Sequence, residues 1–227
     1  MTIFQTINAD LQAALARDPA ARGPLDVILS YPGFQAITAH RFIHVLHGAR
    51  IPLLPRWLSN VNRFFTGIEI HPAAQIAPGL FIDHGMGVVI GETAVVGRNC
   101  TIYQGVTLGG TSLSHGKRHP TLGDNVTIGV NAAVLGAISV GDNAKVGGGS
   151  VVVKDVPPNS TVVGVPARVV MQDGVPVRLV PEKPQVDMPD PTADSIARLQ
   201  HRVAELEERL NEIDEEAASA STWSWVV

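Results

Sequence analysis

The chain has 227 residues, of which 45% are hydrophobic and 5% aromatic, and its formal net charge is −4; this suits one sizeable domain with appended segments. Residues 193–217 hold eight acidic side chains and three arginines, so the rest of the chain is nearly neutral, with 14 basic and 13 acidic residues. No segment has the clustered basic residues of a nucleic-acid-binding stripe. A single cysteine excludes an intrachain disulfide, and because no apolar run reaches membrane-spanning length we expect a cytoplasmic protein without membrane contact.

Residues 1–66 carry apolar side chains at spacings of three and four, with Pro and Gly between the runs. This spacing predicts a helical domain. His40, His44 and His47 fall at i, i+4 and i+7 of one such helix, which superficially resembles a metal-binding face. No acidic or cysteine ligand accompanies them, so we interpret them as packing residues.

Residues 67–170 follow a different period, with an aliphatic residue at every sixth position and small or aliphatic residues four places later. Such a period fits neither an amphipathic helix nor a two-sided strand. It is typical of a solenoid, in which each repeat buries its apolar column against its neighbours. The aliphatic positions are Ile70, Ile76, Ile82, Ile90, Val96, Ile102, Leu108, Leu122, Ile128, Val134, Val140, Val146 and Val152.

The C-terminal part has three segments. Residues 171–192 contain five prolines, which predicts an extended linker. Residues 193–217 carry a heptad pattern that predicts a coiled-coil helix, the alternative being an amphipathic helix that lies on the body. Residues 218–227 are predicted to form a flexible tail. The heptad's apolar residues are Ile196, Leu199, Val203, Leu206, Leu210 and Ile213.

The six-residue repeat is interrupted twice, within residues 82–90 and within residues 108–122, and both interruptions carry histidine. Because a solenoid has no deep internal cavity, polar residues concentrated at its interruptions indicate a ligand site. His84 is a candidate general base, and both Asp83 beside it and Glu69 just before the first repeat are candidates for the carboxylate that fixes its tautomer. In the second interruption, Arg118 offers a forked donor suited to a carboxylate substrate.

Four sequence motifs narrow this interpretation. The segments "IEIHPAAQI", "DHGMGVVIGETA", "VTLGGT" and "GKRHP", in this order and spacing, resemble those of serine O-acetyltransferases, and the resemblance covers about residues 15–170. It implies an α+β fold: an N-terminal helical segment, a left-handed parallel β-helix of hexapeptide repeats, an extended linker and a C-terminal coiled-coil helix. The segment "GVPARVV" resembles the family's usual exit from the β-helix.

The resemblance also implies a reaction. Acetyl-CoA, as co-substrate, would transfer its acetyl group to the hydroxyl of L-serine by direct attack, giving O-acetyl-L-serine and CoA in the first step of cysteine biosynthesis from serine. His84 would be the general base, and Glu69 would be the carboxylate that orients it. Some family members have Asp at the position of Glu69, and either acid can accept the imidazole N–H.

Further residues are implied to bind the two substrates. Asp18 and Asp83 would bind the ammonium group of serine, while Arg118 and His119 would bind its carboxylate. CoA would lie in the groove between neighbouring prisms, and some relatives have Ala at two of its implied contacts, Val130 and Gly148. The implied CoA contacts are Gly110, Thr111, Val130, Lys145 and Gly148.

Regulation and partners follow from the same resemblance. L-cysteine is expected to inhibit by occupying the serine pocket. We expect a homotrimer, because only 17 residues precede Asp18 whereas many relatives have a longer helical region that joins two trimers. Many family members insert a C-terminal peptide into cysteine synthase, so the tail that ends in Val227 is a candidate for that contact.

Three other functions remain as alternatives. An enzyme that acetylates another hydroxyl acceptor is disfavoured by the residues implied to bind a zwitterion. A zinc enzyme would use His84, His115 and His119, but a metal ligand cannot also be the free base, so we expect no metal. A catalytically silent scaffold for cysteine synthase is disfavoured because the base and the implied serine-binding residues are all present.

Overall fold

The structure is a computed structural model that describes residues 1–177 and 191–221. It divides into two compact units, Met1–Leu179 and Val180–Val227. None of the helices within the described ranges combines the length and the apolar character needed to cross a bilayer.

Residues 1–66 form four helices, α1 (Ile3–Arg17), α2 (Pro24–Ser30), α3 (Pro32–Gly48) and α4 (Leu54–Thr66), as the apolar spacing predicts. A capping box at Thr2 begins α1, and a proline stands in the first turn of each of the other three helices. Proline is favourable there because an N–H group in the first turn would have no intrahelical acceptor, and because the φ of proline is already helical.

Sixteen short strands follow within residues 69–176 of the described chain. Most are two residues long, which matches the six-residue sequence repeat. They are β1 (Glu69–Ile70), β2 (Gln75–Ile76), β3 (Phe81–Ile82), β4 (Val89–Ile90), β5 (Val95–Val96), β6 (Thr101–Ile102), β7 (Thr107–Gly109), β8 (Thr121–Leu122), β9 (Thr127–Ile128), β10 (Ala133–Leu135), β11 (Ser139–Val140), β12 (Lys145–Val146), β13 (Val151–Val152), β14 (Ser160–Gly164), β15 (Ala167–Gln172) and β16 (Val175–Pro176).

The strands form three sheets that the chain visits in turn. Sheet A has the order β1-β4-β7-β10-β13, sheet B has β2-β5-β8-β11, and sheet C has β3-β6-β9-β12-β14-β15-β16. Pairing is parallel between successive coils and antiparallel only for β14–β15 and β15–β16. Each sheet is therefore one face of a triangular parallel β-helix. We call the corner where the chain passes from sheet C to sheet A the CA edge, and that from sheet A to sheet B the AB edge.

The core of the β-helix is the aliphatic column predicted from the sequence. Of its thirteen positions, twelve are buried and Ile76 is half-buried against the same cluster. Cys100 is fully buried in the second column, and burial raises the pKa of its thiol to about 11, so it is a packing residue and not a nucleophile at neutral pH.

A buried ion pair fastens the helices to the first coil. Asp10 in α1 and Arg41 in α3 make two hydrogen bonds of 3.1 Å, and their side chains are 0% and 9% exposed. The Asp10 carboxylate also accepts the backbone N–H groups of Gly79 and Leu80, while Arg41 donates to the carbonyls of residues 76–77. Both charges are therefore hydrogen-bonded as well as paired, which buried ions require.

The histidines of α3 pack against the body. His40 is buried, and burial lowers its pKa to about 3, so the imidazole is neutral at physiological pH. His44 Nδ1 lies 2.8 Å from the carbonyl oxygen of Pro72, and the ring of His47 makes an edge contact with that of His71. Within residues 1–177 and 191–221, no group of three or more His, Cys, Asp or Glu side chains is arranged to hold a metal ion.

The C-terminal segments differ in part from the prediction. Strands β15 and β16 extend to Pro176, so residues 171–176 of the predicted linker form β structure. Helix α5 (Pro191–Ser221) takes in the last two residues of the predicted linker and residues 218–221 of the predicted flexible tail, while residues 178–190 and 222–227 lie outside the described residues. Helix α5 contains the heptad segment, and five of its apolar residues are exposed in the single chain: Ile196, Leu199, Val203, Leu206 and Leu210.

Candidate active site

The register of the CA edge locates the first interruption of the repeat. The N–H of Asp83 donates to the carbonyl of Ile102 in the next coil, and the N–H of Gly105 donates to the carbonyl of Met86. Positions 83 and 86 therefore lie opposite 103 and 104, which are adjacent in the chain, so the two extra residues of the first interruption are 84 and 85. The insertion therefore consists of His84 and the glycine that follows it.

The insertion presents His84 to solvent in an unusual backbone conformation. Its φ is +57°, in the left-handed region, and its side chain is 73% exposed. Gly85 and Gly87 also have positive φ, which lets the chain turn tightly on either side of Met86. A non-glycine residue in this region is conformationally strained, and such strain concentrates at functional sites. His84 Nε2 lies 3.9 Å from Asp83 Oδ1.

Glu69, the implied orienting carboxylate, does not pair with His84 in this structure. Its Oε2 lies 2.7 Å from Nη1 of Arg63, which is in the last turn of α4. The two side chains of this pair are 36% and 60% exposed. Exposed ion pairs contribute only about 0–1 kcal/mol, so a rotation of Glu69 towards the imidazole costs little.

Asp18 is held rigidly near the CA edge. Its Oδ2 accepts the hydroxyl of Tyr31 at 2.7 Å, and its Oδ1 accepts the N–H of Ala20 at 2.8 Å. The Tyr31 hydrogen bond, more than any other cause, holds the pKa of Asp18 below its usual value, so the carboxylate stays ionised. Asp18 is close enough to His84 to interact with it electrostatically, as is Tyr31 with Asp83. Two carboxylates and an imidazole therefore share one small region.

Arg118 and His119 lie on the AB edge, where the loop of the second interruption returns to β8. Arg118 Nη2 lies 2.5 Å from Glu92 Oε2, and this hydrogen bond holds the pKa of Glu92 below its usual value. His119 is largely buried, and its ring lies against the backbone of Gly91, where a Cβ would come within 2.0 Å of the imidazole. Gly91 thus provides the space that the His119 ring occupies.

The implied CoA contacts are divided between the edges. Val130 and Gly148 lie on the CA edge in the same column as Met86, because N–H groups of successive corners donate to the carbonyls of residues 86, 104 and 130. Gly110 and Thr111 lie on the AB edge, in the loop that follows β7. Lys145 begins β12, and its side chain faces outward from sheet C.

The structure thus brings the predicted site residues together as two groups. The CA edge carries the base and the acids, and the AB edge carries the guanidinium and the second histidine. A single protomer holds these groups on different corners of the prism, so it does not unite them. The first group is Asp18, Glu69, Asp83 and His84; the second is Gly110, Thr111, Arg118 and His119.

Four residues near these groups were not identified from the sequence. Tyr31 and Glu92 hold Asp18 and Arg118, Thr93 contacts His119, and Gln104 lies in the Met86 column with a buried Oε1 that has no hydrogen-bond partner. Glu92 and Thr93 belong to the quoted motif "DHGMGVVIGETA", which is the one signal that pointed to them. Tyr31 and Gln104 required the three-dimensional arrangement.

An apolar surface borders the CA edge. Helix α4 packs through its polar side, on which Ser59 donates to the carbonyl of Ile70 in β1 at 2.6 Å and Asn62 donates to that of Ala36 in α3 at 3.1 Å. Its aromatic side chains are exposed instead, and the surface continues to Met86, whose Sδ lies against the backbone of Gly67. Contiguous exposed apolar side chains of this kind mark an interaction surface. The exposed aromatic residues are Trp57, Phe64 and Phe65.

Family models match three parts of the chain. Residues 1–39 match the N-terminal region of serine acetyltransferases, residues 87–112 match the hexapeptide repeat of succinyl-transferases, and residues 119–154 match the bacterial transferase hexapeptide repeat.

Named relatives are similar over most of the chain. A serine acetyltransferase of Synechococcus elongatus is 53% identical over 92% of this chain and 84% of its own length. One of Bacillus subtilis is 51% identical over 92% of this chain and 95% of its own length.

Solved structures agree with these matches. The serine acetyltransferase of Neisseria gonorrhoeae in complex with serine has a TM-score of 0.72 and 50% identity, over 74% of this chain and 69% of that one. A serine acetyltransferase in complex with cysteine has a TM-score of 0.73 and 42% identity, over 74% and 70% of the two chains. Identity of about half over nine tenths of the sequence, together with the shared fold, confirms the resemblance stated above, and the chain belongs to the serine acetyltransferase family of acyltransferases.

Proposed function

We propose that the protein transfers the acetyl group of acetyl-CoA to the hydroxyl of L-serine, giving O-acetyl-L-serine and CoA. The observation that carries the proposal is the two-residue insertion that presents His84 beside the carboxylates of Asp18 and Asp83. An imidazole next to two acids suits a substrate that combines a hydroxyl with an ammonium group. The similarity to a serine acetyltransferase crystallised with serine supports the same substrate.

In the proposed reaction, His84 accepts the proton of the serine hydroxyl as the oxygen attacks the thioester carbonyl. The tetrahedral intermediate then expels CoA as a thiolate, which takes the proton back from the imidazolium. Asp18 and Asp83 bind the ammonium group, and Arg118 with His119 binds the carboxylate. Because this holds the hydroxyl at a fixed distance from the base, binding itself supplies part of the rate acceleration.

We further propose that Glu69 leaves Arg63 and accepts the second imidazole N–H of His84 when the substrates bind. Both Glu69 and the insertion lie at the first coil of the CA edge, since the N–H of Glu69 donates to the carbonyl of Val88. A carboxylate in this position favours the tautomer that can act as a base, and it stabilises the imidazolium that forms.

The site is proposed to be completed between protomers of a homotrimer whose β-helices are left-handed, as the family resemblance implies. A threefold assembly can place the AB edge of one protomer beside the CA edge of the next and so unite the two groups. The pantetheine arm of acetyl-CoA would then run in the groove beside the column of Met86, Val130 and Gly148. The exposed aromatic residues of α4 border this groove, so the neighbouring protomer would cover them.

If the protein is a trimer, light scattering should give a mass of three times 24.0 kDa. Phe64→Glu should lower this mass towards that of the single chain, because it places a charge in the apolar surface beside the groove. Leu29→Glu is the matched control, since Leu29 is a similarly exposed apolar residue on α2. A hexameric mass for the native chain would contradict the trimer, and an unchanged mass for Phe64→Glu would exclude α4 from the interface.

The reaction is tested by thiol release from acetyl-CoA with L-serine, D-serine, L-homoserine or no acceptor. We expect release with L-serine and inhibition by millimolar L-cysteine, because both amino acids present the same ammonium and carboxylate groups to the site. A serine acetyltransferase has been solved in complex with cysteine, which supports this expectation. Release with another acceptor but not with L-serine would assign a different hydroxyl substrate. No release from a folded trimer would favour the scaffold function.

Two proposals concern the C-terminal segments. The heptad residues Ile196, Leu199, Val203, Leu206 and Leu210 of α5 are exposed in the single chain, and we propose that three copies bury this apolar seam in a parallel coiled coil. Arg202 pairs within its own helix with Glu205 at 2.9 Å, and its side chain is 62% exposed. The tail that ends in Val227 lies outside the described residues, and its insertion into cysteine synthase is proposed from the family resemblance alone.

A further inference from the structure

Thr93 contacts the His119 segment through both its side chain and its backbone. Its Oγ1 accepts the backbone N–H of Arg118 at 3.0 Å and that of His119 at 3.1 Å. The same Oγ1 lies 2.9 Å from His119 Nδ1, and the backbone N–H of Thr93 points at this nitrogen from 3.2 Å. Four contacts therefore join Thr93 to the two neighbouring residues Arg118 and His119.

These contacts determine which ring nitrogen carries the proton. A hydroxyl has two acceptor positions and one hydrogen. The N–H groups of Arg118 and His119 occupy both acceptor positions of Thr93 Oγ1, so its hydrogen is directed to His119 Nδ1. The backbone N–H of Thr93 can only donate, and it faces the same nitrogen. Because Nδ1 meets two donors, it is unprotonated, and the neutral ring carries its hydrogen on Nε2.

The surroundings of the ring keep it neutral. Burial lowers the pKa of His119, and the positive charge of Arg118 lowers it further. The neutral ring can donate a hydrogen bond through its Nε2–H without first taking up a proton.

The Nε2 side of the ring faces two glycines. A Cβ at Gly91 would lie 2.2 Å from Nε2 and would displace the ring, whereas one at Gly110 would lie 3.3 Å from Nε2 and would crowd it. Within the described residues, His119 Nε2 forms no hydrogen bond with the protein. It is also not fully buried, because it is absent from the set of fully buried polar atoms that lack a partner. The N–H is therefore open to a ligand.

We propose that Thr93 is a positioning residue that holds His119 as the Nε2–H tautomer, and that this N–H donates to a negatively charged oxygen of the reacting substrates. The inference rests on the proposed function, which supplies two such oxygens: the serine carboxylate and the oxygen that becomes negative when the thioester is attacked. A hydrogen bond to the carboxylate is made equally in the ground state and the transition state. One to the thioester oxygen strengthens only as negative charge develops.

The experiment compares Thr93→Val, which keeps the shape but removes the hydroxyl, with Thr93→Ser, which keeps the hydroxyl. Thr93→Val should lower kcat/KM for L-serine about 10- to 100-fold, the size of a lost hydrogen bond to a charged group, and Thr93→Ser should restore most of it. A rise in the KM of L-serine alone assigns the bond to the carboxylate, whereas a fall in kcat assigns it to the thioester oxygen. Native kinetics in a folded Thr93→Val protein would overturn the proposal.

A second measurement does not depend on activity. In ¹⁵N-histidine-labelled native protein, with His119→Gln used for assignment, the His119 signals should show a protonated Nε2 and an unprotonated Nδ1 between pH 6 and 8. A proton on Nδ1 in the native protein would overturn the proposal even if Thr93→Val does not fold. The Nε2–H tautomer in a protein without L-serine-dependent release would support the structural assignment and overturn the proposed function instead.

Discussion

Replacement of His84 by alanine is expected to lower kcat about 10²- to 10⁴-fold, the usual contribution of a general base. The imidazole of His84 is the candidate base on the CA edge, and it is open to substrate, since its side chain is 73% exposed. Steady-state rates of thiol release at saturating L-serine and acetyl-CoA measure the effect. Because His84 has a positive φ, His84→Asn is a second useful variant: asparagine tolerates this conformation but supplies no base.

The matched control is His115→Ala, which removes an exposed histidine from the loop of the second interruption. This variant should keep the native rate, since His115 has no assigned part in the reaction. Equal losses in the two alanine variants would point to a general effect on folding or assembly. Native turnover in His84→Ala would exclude His84 as the base and leave the proposed mechanism without a proton acceptor.

Replacement of Asp10 by alanine is expected to lower the free energy of unfolding by about 3–5 kcal/mol, because it leaves the buried guanidinium of Arg41 without its counter-charge. The change also removes the acceptor of the Gly79 and Leu80 N–H groups, which join α1 to the first coil. Denaturant unfolding at a fixed protein concentration measures the loss.

The control for this prediction is Glu205→Ala, which breaks the ion pair with Arg202 on α5. Both partners are about half exposed, so this change should cost less than about 1 kcal/mol. If Asp10→Ala has the same midpoint of denaturant unfolding as the native protein, the buried pair does not fasten the helices to the β-helix. Asp10→Leu separates the loss of the charge from the loss of side-chain volume. It should also be destabilised, because leucine fills the space but leaves the Arg41 guanidinium unpaired.

The β-helix was predictable because its core repeats. Each aliphatic residue at the sixth position meets the equivalent residue of the next coil, so one local rule describes twelve buried positions and the half-buried Ile76. The interruptions were predictable for the same reason, since a departure from a strict period is visible without knowledge of the fold. His84 and Arg118 were identified in this way.

Contacts between distant segments were not predictable from any local rule. The pairing of Asp10 with Arg41 depends on how two helices pack against residues 76–80, and nothing in either helix alone specifies it. The Glu69–Arg63 pair likewise forms because α4 ends beside the first strand. The division of the site between two edges depends on which corner of the coil each interruption occupies, and this required the assignment of strands to sheets.

The two ends of the β-helix have a consequence for its behaviour in concentrated solution. A parallel stack with bare end coils would offer unpaired N–H and C=O groups to another molecule, and successive additions would build a filament. Here α1 and α3 pack on β3 while α4 packs on β1, and at the other end β15 folds back in antiparallel pairing and contacts β13. The helices at one end and β15 at the other therefore prevent the end coils of a second molecule from adding to the stack. Loss of the helical cover is therefore expected to cause end-to-end polymerisation.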